Sequence, residues 1–265
     1  MAAAARELAG VSPTPRLDAE VLMAHALGVS REALLLGRLD DAVPDAFAAL
    51  LARRLTHEPV AYITGRRAFW TIDLTVGPGV LIPRADSETL IEAAIDHFAG
   101  RAPVRILDLG TGPGTLLLAA LDQWPQATGL GVDASAAALD YARRNAQGLG
   151  MADRADFRLG DWAAGIGGTF DLILANPPYI GTREPLPREV RDHEPGTALF
   201  AGEDGLDDYR AIVPQLAPLL APGGAAILEI GATQADAVSE LLAAAGFAVA
   251  LRRDLAGHAR ALIAS

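Results

Sequence analysis

From residue 104 onward, short apolar strands alternate with helices, and this alternation constrains the fold more than any other feature of the sequence. Such alternation is typical of a mostly parallel sheet with helices on both faces. It predicts an α/β fold. The predicted strands are 104–109, 128–132, 155–159, 170–174 and 225–230, followed by an antiparallel edge at 247–251 and 259–263. The predicted helices are 114–124, 136–147, 206–220 and 234–244.

The N-terminal part of the chain has a helical pattern throughout. Apolar residues recur at helical spacing between Leu17 and Leu55, which predicts consecutive helices. Ser30 and Asp45 stand where helix caps or first-turn acids belong. His25 is expected to pack on an apolar helix face. Because this part shows no catalytic constellation, residues 1–66 are predicted to be a small helical domain for substrate recognition.

A β-hairpin is predicted to connect this domain to the α/β part. Its arms are expected in the segment Glu58–Gly65 and in Phe69–Val76, whose polar and apolar residues alternate before a Gly-Pro-Gly run. The predicted hairpin linker spans residues 67–84. The α/β domain is therefore expected to occupy residues 85–265.

Composition excludes several kinds of chemistry. The chain has no cysteine, which excludes disulfides, thiolate zinc sites and a cysteine nucleophile. All 22 basic residues are arginines, so a Schiff-base lysine and the lysine of a Walker loop are absent. The net charge of −11 argues against tight, sequence-independent binding of nucleic acid. No metal is expected.

Nothing in the sequence predicts a membrane or secretory protein. The run Met1–Ala5 faintly resembles a targeting leader, but the charged Arg6 and Glu7 follow at once and no apolar core appears. No run approaches the roughly 18 apolar residues of a membrane span. The expected location is the cytoplasm.

A glycine-rich turn follows the first strand of the α/β part and opens a helix. It consists of Asp108, Leu109, Gly110, Thr111, Gly112, Pro113 and Gly114. Glycines let a backbone turn tightly and let a ligand approach, and the helix start offers free N–H groups. Asp133 ends the second strand, where a carboxylate can accept from both hydroxyls of a ribose. The turn therefore predicts a nucleoside site.

The spacing of the glycines favours a cofactor without phosphates. Thr115 stands where the last glycine of a dinucleotide turn would be, and Asp108 would repel a pyrophosphate but attract an ammonium group. S-adenosylmethionine, an amino acid joined to a nucleoside, satisfies both preferences. Asp161 and Trp162 after the third strand can bind the adenine amine and pack on its ring. A surface Asp beside a core Trp is an equally good interpretation of that pair.

The fourth strand runs into Asn176, Pro177, Pro178 and Tyr179. In the common doubly wound order this strand lies beside the first, so the loop would face the cofactor. The side-chain oxygen of Asn176 and the carbonyl of Pro177 can both accept from one NH₂ group, and Tyr179 offers a flat face. The sequence therefore predicts a clamp for a planar nitrogen group, although Asn-Pro-Pro can also simply end a strand.

Several segments together resemble the HemK/PrmC family of protein-(glutamine-N5) methyltransferases. They are Glu58–Gly65, Phe69-Trp70, Gly79–Arg84, the glycine turn with Asp133, Asp161-Trp162, the Asn-Pro-Pro-Tyr loop, His193–Pro195, Gly205–Asp207 and Arg253–Gly257. The resemblance covers nearly the whole chain. It implies a class I Rossmann-like methyltransferase that uses S-adenosylmethionine and releases S-adenosylhomocysteine. The implied protein partners are peptide chain release factors, methylated on the glutamine of their Gly-Gly-Gln loop.

The resemblance also implies roles for individual residues. The implied catalytic residues are Asn176, Pro177 and Tyr179, and the implied substrate-binding residues are Asn176, Pro177, Pro178 and Tyr179. The implied cofactor-binding residues are Asp108, Gly110, Thr111, Gly112, Pro113, Gly114, Asp133, Asp161, Trp162 and Asn176.

One segment departs from the family pattern. Members usually read Pro-Arg-Pro-x-Thr-Glu, whereas Pro83 to Glu88 reads Pro-Arg-Ala-Asp-Ser-Glu. Ser87 keeps a hydroxyl, and either Ser87 or Asp86 is predicted to cap the helix that follows, from about Asp86 to Phe98. Arg84 and Glu88 are expected either to help close the site or to form an ion pair that stabilises this helix.

Three alternatives remain at the level of sequence. The Asn-Pro-Pro-Tyr loop is shared with adenine-N6 enzymes, and Arg183, Arg188 and Arg191 just beyond it could contact phosphates of a nucleic acid. A sister group of the family methylates a ribosomal-protein glutamine. The third alternative is a non-catalytic cofactor-binding or ribosome-associated module, against which the predicted acceptor pair argues.

Overall fold

The computed structural model describes all residues of the chain, 1–265. The helices are Ala2–Leu8 (α1), Pro15–Leu27 (α2), Arg31–Gly37 (α3), Asp45–Leu55 (α4), Val60–Thr64 (α5), Glu88–Phe98 (α6), Thr115–Gln123 (α7), Ala136–Gly148 (α8), Arg188–His193 (α9), Asp207–Leu216 (α10) and Ala235–Ala244 (α11). The strands are Arg66–Phe69 (β1), Ile72–Thr75 (β2), Arg105–Leu109 (β3), Thr128–Asp133 (β4), Ala155–Leu159 (β5), Phe170–Ala175 (β6), Leu220–Glu229 (β7), Val249–Arg253 (β8) and Ala259–Ala264 (β9). No helix is long and apolar enough to cross a membrane.

A seven-stranded sheet forms the centre of the α/β part, in the order β5-β4-β3-β6-β7-β9-β8. The first five of these strands are parallel, and β9 runs antiparallel to both of its neighbours. The α/β fold with an antiparallel edge is therefore confirmed. The first and fourth strands of the α/β part were predicted to be neighbours, and they are: β3 pairs with β6, with Leu109 opposite Ala175. The carboxyl ends of β3, β4 and β6 consequently lie at one edge of the sheet.

The chain divides into two compact units. The first unit comprises Met1–Arg66, Val76–Pro78 and Leu186–Glu194. The second comprises Arg67–Thr75, Gly79–Pro185 and Pro195–Ser265. The domain boundaries at residues 66 and 84 stay a prediction.

The first unit is a helical bundle with its own apolar core. That core includes Leu8, Leu22, Leu34, Phe47 and Ile63. Residues at the start of the chain form α1, which contributes buried Ala4 and Leu8, so the leader-like run is part of this fold. Ser30 caps α3 as predicted, accepting from the N–H of Ala33 at 3.1 Å. The prediction for His25 is wrong, because its side chain is exposed in the last turn of α2.

Arg54 is a buried charged residue of the first unit. Its Nε lies 2.8 Å from Oδ2 of Asp18, and its Nη2 lies 2.7 Å from Oε2 of Glu189 in α9. A third guanidinium nitrogen donates to the carbonyl of Glu58 at 3.1 Å. A buried guanidinium is tolerated only when its donors are paired. These contacts tie the segment Leu186–Glu194 to helices more than a hundred residues away, a link that no local pattern predicts.

The β-hairpin lies in the first part of the predicted linker, but only one of the two predicted arms is a strand. Glu58–Gly65 contains the short helix α5, and the hairpin is β1 with β2. Between the two strands Trp70 adopts a left-handed backbone with φ 53°. Turns of this kind usually carry glycine or asparagine. Because residues 69–76 contain neither, their alternation of polar and apolar residues gave no sign that a turn interrupts the strand. Oε1 of Glu88 accepts from the backbone N–H of Trp70 at 2.8 Å and holds the turn.

Strand β7 begins at Leu220, five residues before the predicted start. The Pro-Gly-Gly run at 222–224 is typical of a loop, which is why the pattern places the strand later. In the structure this run forms an irregularity in the pairing with β6, between Phe170 and Leu172. A Cβ on Gly224 would lie 2.5 Å from the carbonyl oxygen of Asp171, so the close approach of the two backbones requires glycine there.

Candidate active site

A cavity of about 450 Å³ lies within the second unit, where β3, β4 and β6 end. This size is typical of a small-molecule site. Ten of the predicted site residues line it: Asp108, Gly110, Thr111, Gly112, Pro113, Asp133, Asp161, Trp162, Asn176 and Pro178. Gly114, Pro177 and Tyr179 are absent from the lining. The structure therefore brings most of the predicted residues into one space.

The glycine turn brings its backbone close to an aromatic ring. Gly110 has φ 72°, and its N–H and that of Thr111 both donate to the carbonyl of Val132 at 2.9 and 3.0 Å. A Cβ on Gly110 would lie 3.0 Å from Cζ3 of Trp162. A Cβ on Gly114 would instead meet Cδ1 of Leu118 at 2.8 Å, beneath the start of α7. Gly110 thus adjoins the cavity. Gly114 instead adjoins α7, where a larger residue would press on the side chain of Leu118.

Asp108 is a buried carboxylate with one unsatisfied oxygen. Its Oδ2 accepts from Oγ1 of Thr111 at 2.7 Å and from the N–H of Leu117 at 3.1 Å, whereas its Oδ1 has no partner. Burial raises the pKa of Asp108 to about 7, against the lowering effect of these two hydrogen bonds. A buried, unpaired carboxylate oxygen beside a cavity fits a cationic ligand group such as an ammonium.

Asp133 is oriented by the backbone on both sides. Its Oδ2 accepts from the N–H of Gly112 at 2.8 Å, and its Oδ1 accepts from the N–H of Ser135 at 2.8 Å. Burial raises the pKa of Asp133, and the two backbone donors oppose that rise. A carboxylate oxygen can accept more than one hydrogen bond. Asp133 can therefore accept from two hydroxyls of a ligand while remaining fixed.

Trp162, Asp161 and Asp208 line another side of the cavity. Trp162 has φ 46°, and its indole donates to the carboxylate of Asp208. Burial, followed by the charge of Asp207, raises the pKa of Asp208. Asp208 is not among the predicted site residues, although it follows directly after the Gly-Leu-Asp segment that contributed to the family resemblance. Asp161 is exposed and lines the rim.

Asn176 follows β6 directly and faces a buried hydroxyl. Its Nδ2 donates to Oγ of Ser87 at 3.2 Å. Ser87 stands at the N-cap position of α6, as predicted, but its side chain accepts from no backbone N–H there, and α6 begins at Glu88 after a short 3₁₀ helix, Ala85–Ser87. The hydroxyl is used instead by the side chain of Asn176 and by the carboxylate of Glu229.

Pro177 and Tyr179 do not line the cavity. Pro177 is buried, and the ring of Tyr179 packs against the core of the second unit. The carbonyl of Tyr179 accepts from Nε2 of Gln234 at 2.9 Å. Burial, with a smaller effect of Glu229, raises the pKa of the Tyr179 phenol to about 12. The phenol therefore stays protonated at neutral pH, and Gln234 fixes the backbone that follows Asn176.

The arginines beyond the loop are engaged by acidic residues. Arg183 pairs with Glu203 at 3.2 Å. Arg188 and Arg191 both pair with Asp192, at 3.1 and 2.8 Å. Hydrogen bonds from these two arginines lower the pKa of Asp192. The positive charge that would have to attract nucleic-acid phosphates is thus locally neutralised.

Comparisons with known proteins support the observed fold. Residues 101–241 match the family model described as a methyltransferase domain, and residues 1–65 match the PrmC N-terminal domain. A solved methyltransferase from Pyrococcus furiosus has the same fold, with a TM-score of 0.57 and 19% identity over 82% of this chain and 98% of that one. The α/β unit and its cavity therefore define a class I methyltransferase.

Relatives with known names define the family more closely. A release factor glutamine methyltransferase of Rhodospirillum rubrum is 46% identical, covering 97% of this chain and 81% of that protein. One from Caulobacter vibrioides is 41% identical, covering 94% of this chain and 89% of that protein. The chain belongs to the family of release factor glutamine methyltransferases.

Proposed function

We propose that this protein transfers a methyl group from S-adenosylmethionine to the side-chain amide nitrogen of the glutamine in the Gly-Gly-Gln loop of peptide chain release factors. The names of the relatives support the reaction and the substrate. The observation that carries the proposal is the presence of the Asn176 amide and the partly unpaired Asp108 carboxylate in one cavity. The helical domain, residues 1–66, is proposed to recognise the release factor.

Three acidic residues account for the binding of the cofactor. Oδ1 of Asp108 would accept from its ammonium group, because this oxygen is buried without a partner. Asp133 would accept from the ribose hydroxyls, since the N–H groups of Gly112 and Ser135 hold its carboxylate in place. Asp161 would accept from the adenine amine, with Trp162 packed against the ring. When bound, the cofactor supplies an electrophilic methyl group on a sulfonium.

The end of β6 accounts for the orientation of the glutamine. An amide nitrogen is a poor nucleophile because its lone pair is delocalised into the carbonyl. Oδ1 of Asn176 and the carbonyl oxygen of Pro177 would accept its two hydrogens, fix the nitrogen towards the methyl group and stabilise the positive charge that develops. Such positioning can contribute about 7–11 kcal/mol, and the oriented dipoles add to it. Water would take up the proton released.

The role of Asn176 is tested by Asn176→Ala. We expect this variant to lose methylation by at least about 100-fold, because one of two preorganised acceptors is removed, while cofactor affinity changes little. Mass analysis of a release factor after incubation with protein and cofactor measures the first quantity, and calorimetry measures the second. Loss of cofactor affinity in step with turnover would contradict the role of Asn176.

The same assay distinguishes the possible acceptors. Release factor, a release factor with Gly-Gly-Gln changed to Gly-Gly-Glu, ribosomal protein and duplex DNA are offered to the wild-type protein in parallel. We expect modification of the first alone, on the Gly-Gly-Gln peptide. Methyl incorporation into ribosomal protein or DNA with an unmodified release factor would overturn the proposed substrate.

A further inference from the structure

Strands β6 and β7 bring a buried acid next to the loop that carries Asn176. The strands are parallel, and Ala175 lies opposite Leu228. Asn176, which follows β6, and Glu229, the last residue of β7, come directly after this pair at the carboxyl end of the sheet. Glu229 is fully buried, and its Oε2 has no partner.

Ser87 connects these two side chains. Its Oγ accepts from Nδ2 of Asn176 at 3.2 Å. Its hydroxyl also forms a side-chain hydrogen bond with the carboxylate of Glu229. Ser87 is itself buried, so water does not compete freely for these contacts. The three residues form a continuous chain, carboxylate to hydroxyl to amide, that ends at the cavity.

We propose that Glu229, acting through Ser87, determines which end of the Asn176 amide is presented to the substrate glutamine. Glu229 and Ser87 are positioning residues, and neither is proposed to touch the reacting atoms. The inference rests on the proposed function, because it explains how Asn176 becomes an acceptor for a substrate NH₂ group.

The direction of the hydrogen bonds follows from the number of protons available. A serine hydroxyl has a single hydrogen, and an ionised carboxylate can only accept. With that hydrogen directed at Glu229, Oγ of Ser87 can only accept, so Asn176 must direct its NH₂ group towards Ser87. Oδ1 of Asn176 is then left for the substrate. A reversed amide would place an NH₂ group against the NH₂ group of glutamine, and no hydrogen bond would form.

Protonation of Glu229 would remove this constraint. Several charged and titratable groups act on Glu229: Arg84 and Asp86 before α6, Arg260 on β9, Tyr179 after β6, and Tyr209 on α10. Burial raises the pKa of Glu229 to about 7, against the lowering effects of Ser87, Arg260 and Arg84. A protonated carboxyl can donate to Ser87, whose hydrogen is then free to point at Asn176. At saturating cofactor, kcat is therefore expected to fall as the pH falls below about 7.

Three variants test the chain of contacts. Ser87→Ala removes the hydroxyl, Ser87→Thr retains it, and Thr89→Val removes the nearby buried hydroxyl of α6 as a matched control. We expect Ser87→Ala to lower kcat by about 10- to 100-fold, the factor typical of a hydrogen bond to a charged partner, with cofactor Kd within about twofold. Ser87→Thr is expected to restore most of kcat, and Thr89→Val to leave it unchanged. Full kcat in Ser87→Ala, or an equal loss in Ser87→Thr, would overturn the inference.

Glu229→Gln tests the direction of these hydrogen bonds even if Ser87→Ala fails to fold. A carboxamide can either accept from Ser87 or donate to it, so we expect a lower kcat that no longer changes between pH 6 and 8. An unchanged acid limb in this variant would overturn the inference.

A second measurement separates this inference from the proposed function. In ¹⁵N-labelled wild-type protein, the side-chain NH₂ resonances of Asn176 are expected to shift with pH near 7, and to lose that shift in Glu229→Gln. Absence of the shift in wild type would overturn the inference whatever the activity. If wild-type protein showed the shift but did not methylate release factor, the proposed function alone would fail.

Discussion

Asp108 illustrates how the burial of a single carboxylate can oppose stability. Its carboxylate is buried, and only one of its oxygens is hydrogen-bonded. Because its pKa is raised from 3.8 to about 7, the folded protein binds more protons than the unfolded chain between those pH values. The free energy of unfolding therefore decreases as the pH rises through this window. Above it, the destabilisation caused by burying the ionised carboxylate of Asp108 is fully present.

Replacing Asp108 by Asn should increase stability and weaken binding. Oδ1 of an Asn can accept from Thr111 and Leu117, and its neutral NH₂ group costs less to bury than a charge. We expect Asp108→Asn to raise the free energy of unfolding at pH 8 by about 1–3 kcal/mol, to match wild type near pH 4, and to lower cofactor affinity by at least tenfold. Urea unfolding at both pH values and calorimetry measure these quantities. Equal stability at pH 8 would show that Asp108 is not a strained carboxylate.

Among elements, the turn between β3 and α7 has the most demanding geometry. Its position after a strand and before a helix made it predictable from sequence, as did the loop after β6. The contacts that hold these elements were not predictable. Asn145 of α8 accepts from the N–H of Thr75, 70 residues away, and donates to the carbonyl of Pro113. Ser87 and Asn176 are 89 residues apart. Local patterns contain no information about such partners, and only the fold brings them together.

Gly110→Ala tests the turn. The alanine would adopt a left-handed backbone and its Cβ would press on Trp162, so we expect destabilisation of about 1–2 kcal/mol and weaker cofactor binding. Gly148→Ala, in the exposed last turn of α8, meets no atom within 4 Å and is the matched control. It is expected to stabilise the protein by up to about 1 kcal/mol. Thermal unfolding and calorimetry compare the two. Wild-type cofactor affinity in Gly110→Ala would show that the position of the Trp162 ring does not matter for cofactor binding.

At the scale of the whole molecule, the chain leaves the α/β unit after Pro185 and returns at Pro195. The alternation of strands and helices correctly predicted the sheet, but it gave no sign that the segment Leu186–Glu194 would group with the N-terminal helices. The ion pair between Arg54 and Glu189 accounts for this grouping, since the donors of a buried guanidinium need partners. Because α9 has no buried residue of its own, sequence periodicity could not indicate where it packs.

Glu189→Gln tests this link. Arg54 keeps Asp18 but loses one charged partner, so we expect destabilisation of the first unit by about 1–2 kcal/mol. Amide hydrogen exchange should increase in residues 186–194 and stay unchanged in β6. Glu184→Gln is the control, because Glu184 accepts only from the nearby N–H of Gly181 in the second unit. Unchanged exchange in residues 186–194 would show that the ion pair does not hold the segment.

The unpaired oxygen of Asp108 also has a calorimetric consequence. At pH 7 a carboxyl with a pKa of about 7 is about half protonated, and an ammonium group placed against it favours the ionised form. Binding of S-adenosylmethionine should therefore release protons to the buffer near pH 7. The heat of binding is expected to be more exothermic in Tris than in phosphate, because Tris gives off more heat on taking up a proton. In Asp108→Asn this dependence on buffer is expected to become smaller, and an unchanged dependence would show that Asp108 is not the group that loses the proton.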